Sequence, residues 1–396
     1  MKSYAVLVVA VFLCGCLYGG AAQAIDLTKY TFPVSTSQEA YLNGTFNVNG
    51  TSIDSLETGY NFGGDASYDL FYRSLPFSYN LNAVGNFSKS KAQEMDAESR
   101  DAYDVWVHTR ANRYFSDQSN IFGFGSSTLE YRKLSFQDEA DDPYWDVTAG
   151  LGYGRSIDAT VLKQAYRMAQ DFKRFGVTNK DIPENILIEL ARVIDRQGEF
   201  RSQYGPVEYR KYWYEAMEEV LKNAGVLVEG GLGAIGVLRI QEVLAEPTGR
   251  RFYGWEARVG VGVVISDFDG EAGDPLLTAD LDWARPVSLA LQLNNNAYYS
   301  TVFEDDPVHR FGDIFQIYYE VTNRIDWDNT LQVEYLMPTL AGAENMMTLN
   351  FTSTYILYIE NRLSFNPSFI YSYVDDGMGD AISDWAIRGS LSYRLK

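Results

Sequence analysis

Few residues in this chain have the types and spacing that enzymes use. The sequence contains neither a Walker phosphate-binding loop nor an HExxH zinc motif. Its histidines are His108, in a predicted strand on the same face as Arg110, and His309, among acids in a predicted loop. A serine hydrolase places a histidine beside its nucleophile, and neither position suits that role. The sequence therefore predicts that the protein is not an enzyme.

Acidic residues gather in several predicted loops. The clusters are Asp138, Glu139, Asp141 and Asp142; Asp267, Asp269, Glu271 and Asp274; Glu304 to Asp306; and Asp375 with Asp376. Their oxygens are ligands that Ca²⁺ and Mg²⁺ accept, but the run 267–271 lacks EF-hand spacing. Solvated loops are the favoured interpretation. A loop-bound Ca²⁺ or Mg²⁺ is the alternative, and no other cofactor is predicted.

A third set of polar residues lies on strands whose opposite face is apolar. Segment 274–285, for example, alternates apolar Leu277, Leu281 and Trp283 with polar Asp280 and Asp282. Period-two alternation indicates strands with one apolar and one polar face. If the apolar faces meet lipid, the following residues point into a lumen: Asp146, Arg258, Asp280, Asp282, Gln292, Glu320, Gln332, Glu334 and Arg388. Charges on the lipid face would cost about 2–4 kcal/mol near the midplane.

The elements that position these residues are long strands. We predict fourteen, near 38–48, 64–73, 77–88, 101–114, 121–133, 145–155, 253–265, 274–285, 287–301, 313–324, 327–337, 346–358, 361–374 and 384–395. Many are ten to fourteen residues long, whereas strands of soluble sheets average about five or six. Short connections such as 74–76 alternate with long ones such as 89–100. This order is typical of barrels that cross the outer membrane, and a soluble sandwich has no reason to keep it.

Over most of residues 38–396 the chain resembles a Gram-negative, porin-like outer-membrane β-barrel. Such barrels usually close on a terminal Phe or Trp, whereas this sequence has Leu391, Tyr393 and Leu395 and then Lys396. The resemblance implies an all-β membrane barrel in the outer membrane. Outer-membrane lipid and lipopolysaccharide are the partners it implies. No residue role carries over from a characterised family.

Residues 156–252 interrupt the strand pattern with helical periodicity. Apolar residues recur at helical spacing in three stretches, and Pro183, Gly225 and Pro247 mark helix boundaries. We therefore predict an inserted four-helix domain between strands 6 and 7, with strands 1–6 in 25–155 and strands 7–14 in 253–396. Five of the six even-to-odd connections are short turns, which face the periplasm in such barrels. The insert is the sixth, so it is predicted to be periplasmic.

The N-terminus predicts export. Lys2 precedes an apolar run and Ala22-Gln23-Ala24 forms a small-x-small cleavage site, so residues 1–24 are interpreted as a signal peptide. Lipidation at Cys16 is the alternative. Cleavage would remove both cysteines and change the net charge from −20 to −21, because Lys2 is the only charge in the segment. Such an acidic chain is unsuited to binding nucleic acid.

Two functions remain open at this stage. The first is an outer-membrane channel or export pore whose periplasmic helical insert is a gate or docking module, since large barrels often enclose aqueous passages. The second is a non-transporting scaffold whose insert holds a periplasmic protein partner. Mixed charge inside a barrel indicates water or a satisfied polar network, and it does not choose between them.

Overall fold

A closed antiparallel barrel of fourteen strands forms most of the molecule. The computed structural model describes residues 25–31, 35–49, 59–93, 97–133, 142–228, 230–247, 249–270, 273–379 and 381–395. The strands are β1 (Ser35–Asn49), β2 (Gly59–Arg73), β3 (Phe77–Lys91), β4 (Arg100–Tyr114), β5 (Ile121–Lys133), β6 (Tyr144–Asp158), β7 (Phe252–Ser266), β8 (Pro275–Pro286), β9 (Leu291–Val302), β10 (Val308–Thr322), β11 (Ile325–Pro338), β12 (Met346–Glu360), β13 (Leu363–Asp375) and β14 (Ile382–Arg394). Each pairs with its sequence neighbours, and β1 pairs with β14. The predicted barrel is confirmed; the predicted signal peptide, with Cys16, lies outside the described residues.

The two faces of the barrel wall follow the numbering of the residues. From β3 to β14 almost all paired residues have numbers that add to an even value, so each face keeps either odd or even numbers. The odd face carries exposed apolar side chains such as Leu151, Val261 and Ile387. An exposed apolar belt around a closed barrel suits contact with lipid. The even face is therefore the interior.

Short turns lie at one end of the barrel, which we call the turn-side mouth. The start of β1 and the end of β14 also lie at this end, because Ser35 pairs with Arg73 and Arg394 with Tyr41. The sequence predicts a turn at 285–287, which would place Trp283 opposite Leu289, and this prediction is wrong. Strand β8 continues to Pro286, the turn is 287–290, and Trp283 therefore pairs with Asn295 instead of the predicted Leu289. The Ser288 hydroxyl accepts hydrogen bonds from two following backbone amides and fixes the longer turn.

The predicted helical insert between β6 and β7 is confirmed. It contains α1 (Thr160–Arg174), α2 (Glu184–Asp195), α3 (Gln197–Asn223) and α4 (Gly233–Ala245). The strands extend to 158 and from 252, slightly beyond the predicted limits of 156–252. Asp158 and Phe252 pair directly, so the insert leaves and re-enters the wall at neighbouring positions. Among the described residues, no helix combines the length and apolarity needed to cross a membrane.

The main apolar core of the described residues lies in the insert. Leu162, Phe172, Leu190 and Met217 are fully buried there. They occupy the inner faces of α1, α2 and α3, as their helical spacing predicts. The stretch 25–31, which precedes the barrel, contributes Ile25, Leu27 and Tyr30 to the same core.

Strands β5, β6 and β7 form a tight corner built on inward-facing glycines. A Cβ atom added to Gly150 would lie 2.1 Å from the Val259 carbonyl oxygen, and one added to Gly262 would lie 2.2 Å from the Val147 oxygen. The rings of Phe122 and Phe124 cover the glycine backbone and form a small buried cluster with Tyr114. Only glycine permits this close approach between β6 and β7.

Candidate functional site

The candidate site begins with a buried arginine on the interior face of β7. The side chain of Arg258 is almost fully buried. Its Nε donates to Asp280 at 2.7 Å, its Nη1 donates to Glu256 at 2.7 Å, and its Nη2 contacts Asp282. A hairpin centred on the connection 266–273 predicts that Arg258 lies opposite Asp280 or Asp282, and the register pairs it with Asp280. The buried charge is therefore surrounded by three carboxylates, as a desolvated charge requires.

Strand β4 reaches the same cluster across the interior. Arg110 lies 3.6 Å from Asp280, and the Tyr114 hydroxyl donates to Glu256 at 3.0 Å. Strand β4 neighbours neither β7 nor β8, so these contacts cross the lumen. The glycine corner makes this possible because it folds β4 towards β7. Polar side chains therefore close part of the lumen at the height of Arg258.

The other residues predicted to line the lumen lie on the even, interior face but at different heights. Asp146 is buried, Gln292 donates to the Phe252 carbonyl at 2.9 Å, and Glu334 accepts from Tyr298 at 3.0 Å. Gln332 pairs with Ile314, and Arg388 is exposed opposite Ser368. They therefore do not form one site with Arg258. Their role in lining a passage stays a prediction.

Glu320 joins the barrel wall to the insert at the turn-side mouth. Its carboxylate accepts from Lys163 and Arg167 of α1, and Arg251 lies 3.9 Å away. Arg167 also pairs with Glu246, at the end of α4, at 3.1 Å. These pairs are largely buried, so α1 is held against the interior face of β10 by charged groups.

Two further contacts seal the insert onto the mouth. Arg251 is fully buried and donates to the carbonyls of Leu289 and Ala290 in the β8–β9 turn, both at 3.0 Å. Arg394, at the end of β14, donates to the Ala245 carbonyl at 2.7 Å. The insert thus contacts the mouth on β10, on the β8–β9 turn and on β14.

Burial changes the ionisation of groups in this junction. Desolvation, with nearby Arg251 and Arg167, lowers the pKa of Lys163 to about 8, although Glu320 acts in the opposite direction. Desolvation also raises the pKa of Glu246 above its usual value, against Arg167. Both shifts have the direction expected where charges leave water.

Two cavities lie near the insert. One of about 800 Å³ separates it from the wall and is bordered by Glu39, Asp158, Arg201 and Tyr358. The other, of about 340 Å³, lies inside the lumen beside the Arg258 cluster, between β2–β4 and β8–β10. The larger cavity is bordered mainly by polar groups, whereas the wall of the smaller one combines charged side chains with the apolar surfaces of Phe71, Phe252 and Trp283.

Several residues of this site were not predicted from the sequence. Lys163 and Arg167 occupy an otherwise ordinary helix, and their partner lies more than 150 residues away. Arg73 ends β2, a strand with weak alternation. Of these residues, only Arg251 could have been found from the sequence. The pair Arg250-Arg251 lies where the helical periodicity ends and the strand alternation resumes.

Of the two histidines, His108 borders the Arg258 cluster, two residues before Arg110 on the same interior face, and His309 lies apart from it. His108 faces the interior, 3.2 Å from the Thr128 hydroxyl, and stacks on Trp106. His309 lies in β10, not in a loop as predicted, and its Nδ1 is 2.9 Å from the Tyr299 hydroxyl. Within the described ranges, no three acidic or histidine side chains are grouped to hold a metal ion. Four of the predicted loop acids, Asp138, Glu139, Asp141 and Glu271, lie outside those ranges.

Comparison with known proteins identifies the architecture only. No family model and no curated protein matches the chain. Among solved structures it is similar to an outer membrane channel from Pseudomonas putida F1, at 8% identity over 95% of this chain and 99% of that one, with a TM-score of 0.33. It is also similar to a loop-deletion mutant of OmpT, an outer membrane protein of Vibrio cholerae, at 6% identity over 92% and 100%, TM-score 0.33. A third is LpxR from Salmonella typhimurium, at 8% identity over 90% and 99%, TM-score 0.26.

These comparisons correct one prediction. The lack of soluble-enzyme motifs led to the prediction that the protein is not an enzyme. Barrels of similar architecture include LpxR, which is an outer-membrane enzyme, so that argument was wrong. The likeness gives this chain no activity, since identities this low describe the fold alone. The chain has the fold of outer-membrane β-barrels, with a helical domain docked on its turn-side mouth.

Proposed function

We propose that the protein is an outer-membrane channel whose helical insert is a gate over the turn-side mouth. The observation that supports this best is the junction at Glu320, where α1 contacts the inner wall through Lys163 and Arg167. When charged groups separate, water solvates them again, whereas separating an apolar interface exposes all of its apolar area to water. A charged junction therefore suits a domain that must detach from the wall. The barrel itself does not need the insert, because Asp158 and Phe252 already pair.

Conductance in planar bilayers tests the gate. In the test variant, residues 159–251 are replaced by a four-residue Gly/Asn turn, which the pairing of Asp158 with Phe252 allows. We expect the full chain to show brief, rare openings and the shortened chain to conduct steadily. Lys173→Met is the control and should conduct as the full chain does, because Lys173, on α1, pairs with Asp181 of the α1–α2 connection and both side chains are exposed. A shortened chain that folds but does not conduct contradicts the proposal.

The insert is further proposed to face the periplasm. The support is that the described ends of the barrel strands β1 and β14 and the four shortest connections, 74–76, 287–290, 323–324 and 361–362, all lie at the insert's end of the barrel. An epitope tag at Gly205, where a positive φ of 77° breaks α3, tests this. The tag should be invisible on intact cells and appear after the outer membrane is permeabilised. Detection on intact cells contradicts the orientation.

A non-transporting scaffold is the second candidate. It is favoured by the exposed apolar side chains Val228, Ile235 and Leu238 at and before α4, which a periplasmic protein partner would cover. In that case the shortened barrel stays closed and Leu238→Ser reduces capture of the partner. Binding of lipopolysaccharide and of divalent ions at the long loops remains an expectation. Neither would distinguish a channel from a scaffold.

A further inference from the structure

We propose that the lumen contains a binding site for a small organic carboxylate, centred on Arg73. This arginine is the last residue of β2 and lies on the interior face, where only 5% of it is exposed. Both of its terminal nitrogens are buried without a hydrogen-bond partner. A buried guanidinium normally has all its donors engaged, because a charged donor that is buried without an acceptor destabilises the fold.

The cavity of about 340 Å³ lies directly against Arg73. Its volume is at the lower end of the range for small-molecule sites, about 300–1,000 Å³. The cavity is too large to be filled by one water molecule and too small for a folded chain segment. Its size therefore suits a compact organic molecule.

The charges in the wall leave Arg73 as the cation available to a ligand. Glu256 accepts from Arg258 and Tyr114, and Asp282 accepts from Arg258 and Asn296. Arg110 also lines the cavity, and it lies 3.7 Å from Asp282 while its Nε has no partner. Both wall carboxylates are thus engaged, and Arg73 is not paired with either.

The remaining wall is partly aromatic. The rings of Phe71 and Phe252 meet edge to face with centroids 6.0 Å apart, and both line the cavity. The neighbouring Asn112 is buried and its Oδ1 has no hydrogen-bond partner. An arginine fork binds a carboxylate with two parallel hydrogen bonds, and aromatic walls favour a flat apolar body. This combination points to an aromatic or similarly flat carboxylate.

Calorimetric titration of the detergent-solubilised full chain with benzoate tests the site. Benzamide, the neutral analogue, and inorganic phosphate are the comparison ligands. We expect benzoate to bind, benzamide to bind at least about tenfold more weakly, and Arg73→Gln to weaken benzoate by at least about tenfold, as loss of a charged hydrogen bond implies. Arg113→Gln is the matched control, because Arg113 lies on the outer face of β4 at the same end of the barrel. It should bind benzoate as the wild type does.

Every outcome bears on the proposal. Absence of benzoate binding to the wild type overturns it, and so does equal binding by Arg73→Gln. Binding of phosphate but not benzoate overturns the organic class. If Arg73→Gln does not fold, Arg73→Lys, which keeps the charge but loses the fork, should bind benzoate more weakly than the wild type. The site is independent of transport, since a closed barrel would bind equally, so this test does not depend on conductance.

Discussion

At the residue scale, the junction at Glu320 contains more cations than carboxylates. Lys163, Arg167 and Arg251 surround this one acid, and Glu246 contacts only Arg167 among them. Removing Glu320 therefore takes from Lys163 its carboxylate partner, while Arg167 keeps only Glu246; removing Lys163 instead leaves Glu320 paired with Arg167. The two kinds of substitution should have very different effects on the insert.

Glu320→Gln is expected to loosen the insert, and Lys163→Met is not. Removing one partner of a buried ion pair costs about 3–5 kcal/mol when the other charge is left uncompensated. Lys163→Met should cost less, because Glu320 keeps Arg167 as its partner. The reporter is a cysteine at Leu289, which packs against the insert core. The thiol-labelling rate of this cysteine, divided by the rate of a cysteine placed at exposed Leu75, should rise in the Glu320→Gln variant. Equal rates in the two variants would contradict this account.

Docking of the insert is also expected to depend on pH through Lys163. The folded pKa of about 8 is below the ordinary lysine value of 10.5, so the unfolded or undocked state holds the proton more tightly. Stability then rises with pH between about 8 and 10.5, because the cost of burying the charge is removed as the proton leaves. The Leu289-to-Leu75 labelling ratio should fall over this range. Lys163→Met should abolish that fall, and an unchanged ratio in the wild type would count against it.

At the element scale, the segment 25–31 is part of the insert's core although it precedes the barrel. The Tyr30 hydroxyl donates to Asp195 at 2.8 Å, and the Tyr30 carbonyl accepts from Tyr253 at 2.6 Å. Lys29 pairs with Glu184 at 2.9 Å. The segment therefore joins α2 to the first residues of β7.

Tyr30→Ala should destabilise the helices by about 3–5 kcal/mol, the usual cost of emptying a large buried aromatic site. Tyr30→Phe removes only the hydroxyl's bond to the Asp195 carboxylate and should cost about 1.5–3 kcal/mol. Thermal melting of the 222 nm helical signal of the full chain measures both. A similar melt for Ala and Phe would mean that the ring does not support the insert.

The same segment shows what the sequence could not predict. The helices of the insert were predictable because α1, α2 and α3 each bury a regular apolar stripe. Ile25, Leu27 and Tyr30 form no such repeat, and their partners lie more than 150 residues along the chain. An isolated insert of residues 156–252, predicted from the stripes to fold alone, would lack these three core side chains. Its independent folding remains a prediction.

The barrel wall was more predictable than the site. Alternation identifies which side chains share a face, and the hairpin arithmetic around 266–273 limited Arg258 to Asp280 or Asp282. It does not determine how the wall curves, so the reach of Arg110 and Tyr114 from β4 to this cluster could not be predicted. Arg73 was missed for a related reason, since its significance lies in the empty space beside it.

At the scale of the whole molecule, the glycine corner determines the shape of the lumen. The inward-facing Gly150 leaves no room for a side chain, because the Val259 oxygen and the Gly260 Cα belong to the neighbouring strand. Gly125 lies on the outer face of β5, and its nearest neighbour would be 3.9 Å from an added Cβ. These two glycines provide a matched comparison.

Gly150→Ala is expected to open the corner and destabilise the barrel, with an overpacking cost of about 1–3 kcal/mol or more because backbone must move. Gly125→Ala should be tolerated. Urea unfolding in detergent, followed by tryptophan fluorescence, compares them. If the two variants unfold at the same urea concentration, the corner does not depend on the missing Cβ.

The direct pairing of Asp158 with Phe252 also bears on how the barrel assembles. Between these partners lie the 93 residues from 159 to 251, and closing so long a flexible loop costs about 3 kcal/mol more than closing a four-residue turn. If the insert folds first, its compact body brings its two ends together and removes that entropic cost. Strands β6 and β7 can then join as though they were an ordinary hairpin. Helix formation in the insert would thus precede, and accelerate, closure of the barrel wall.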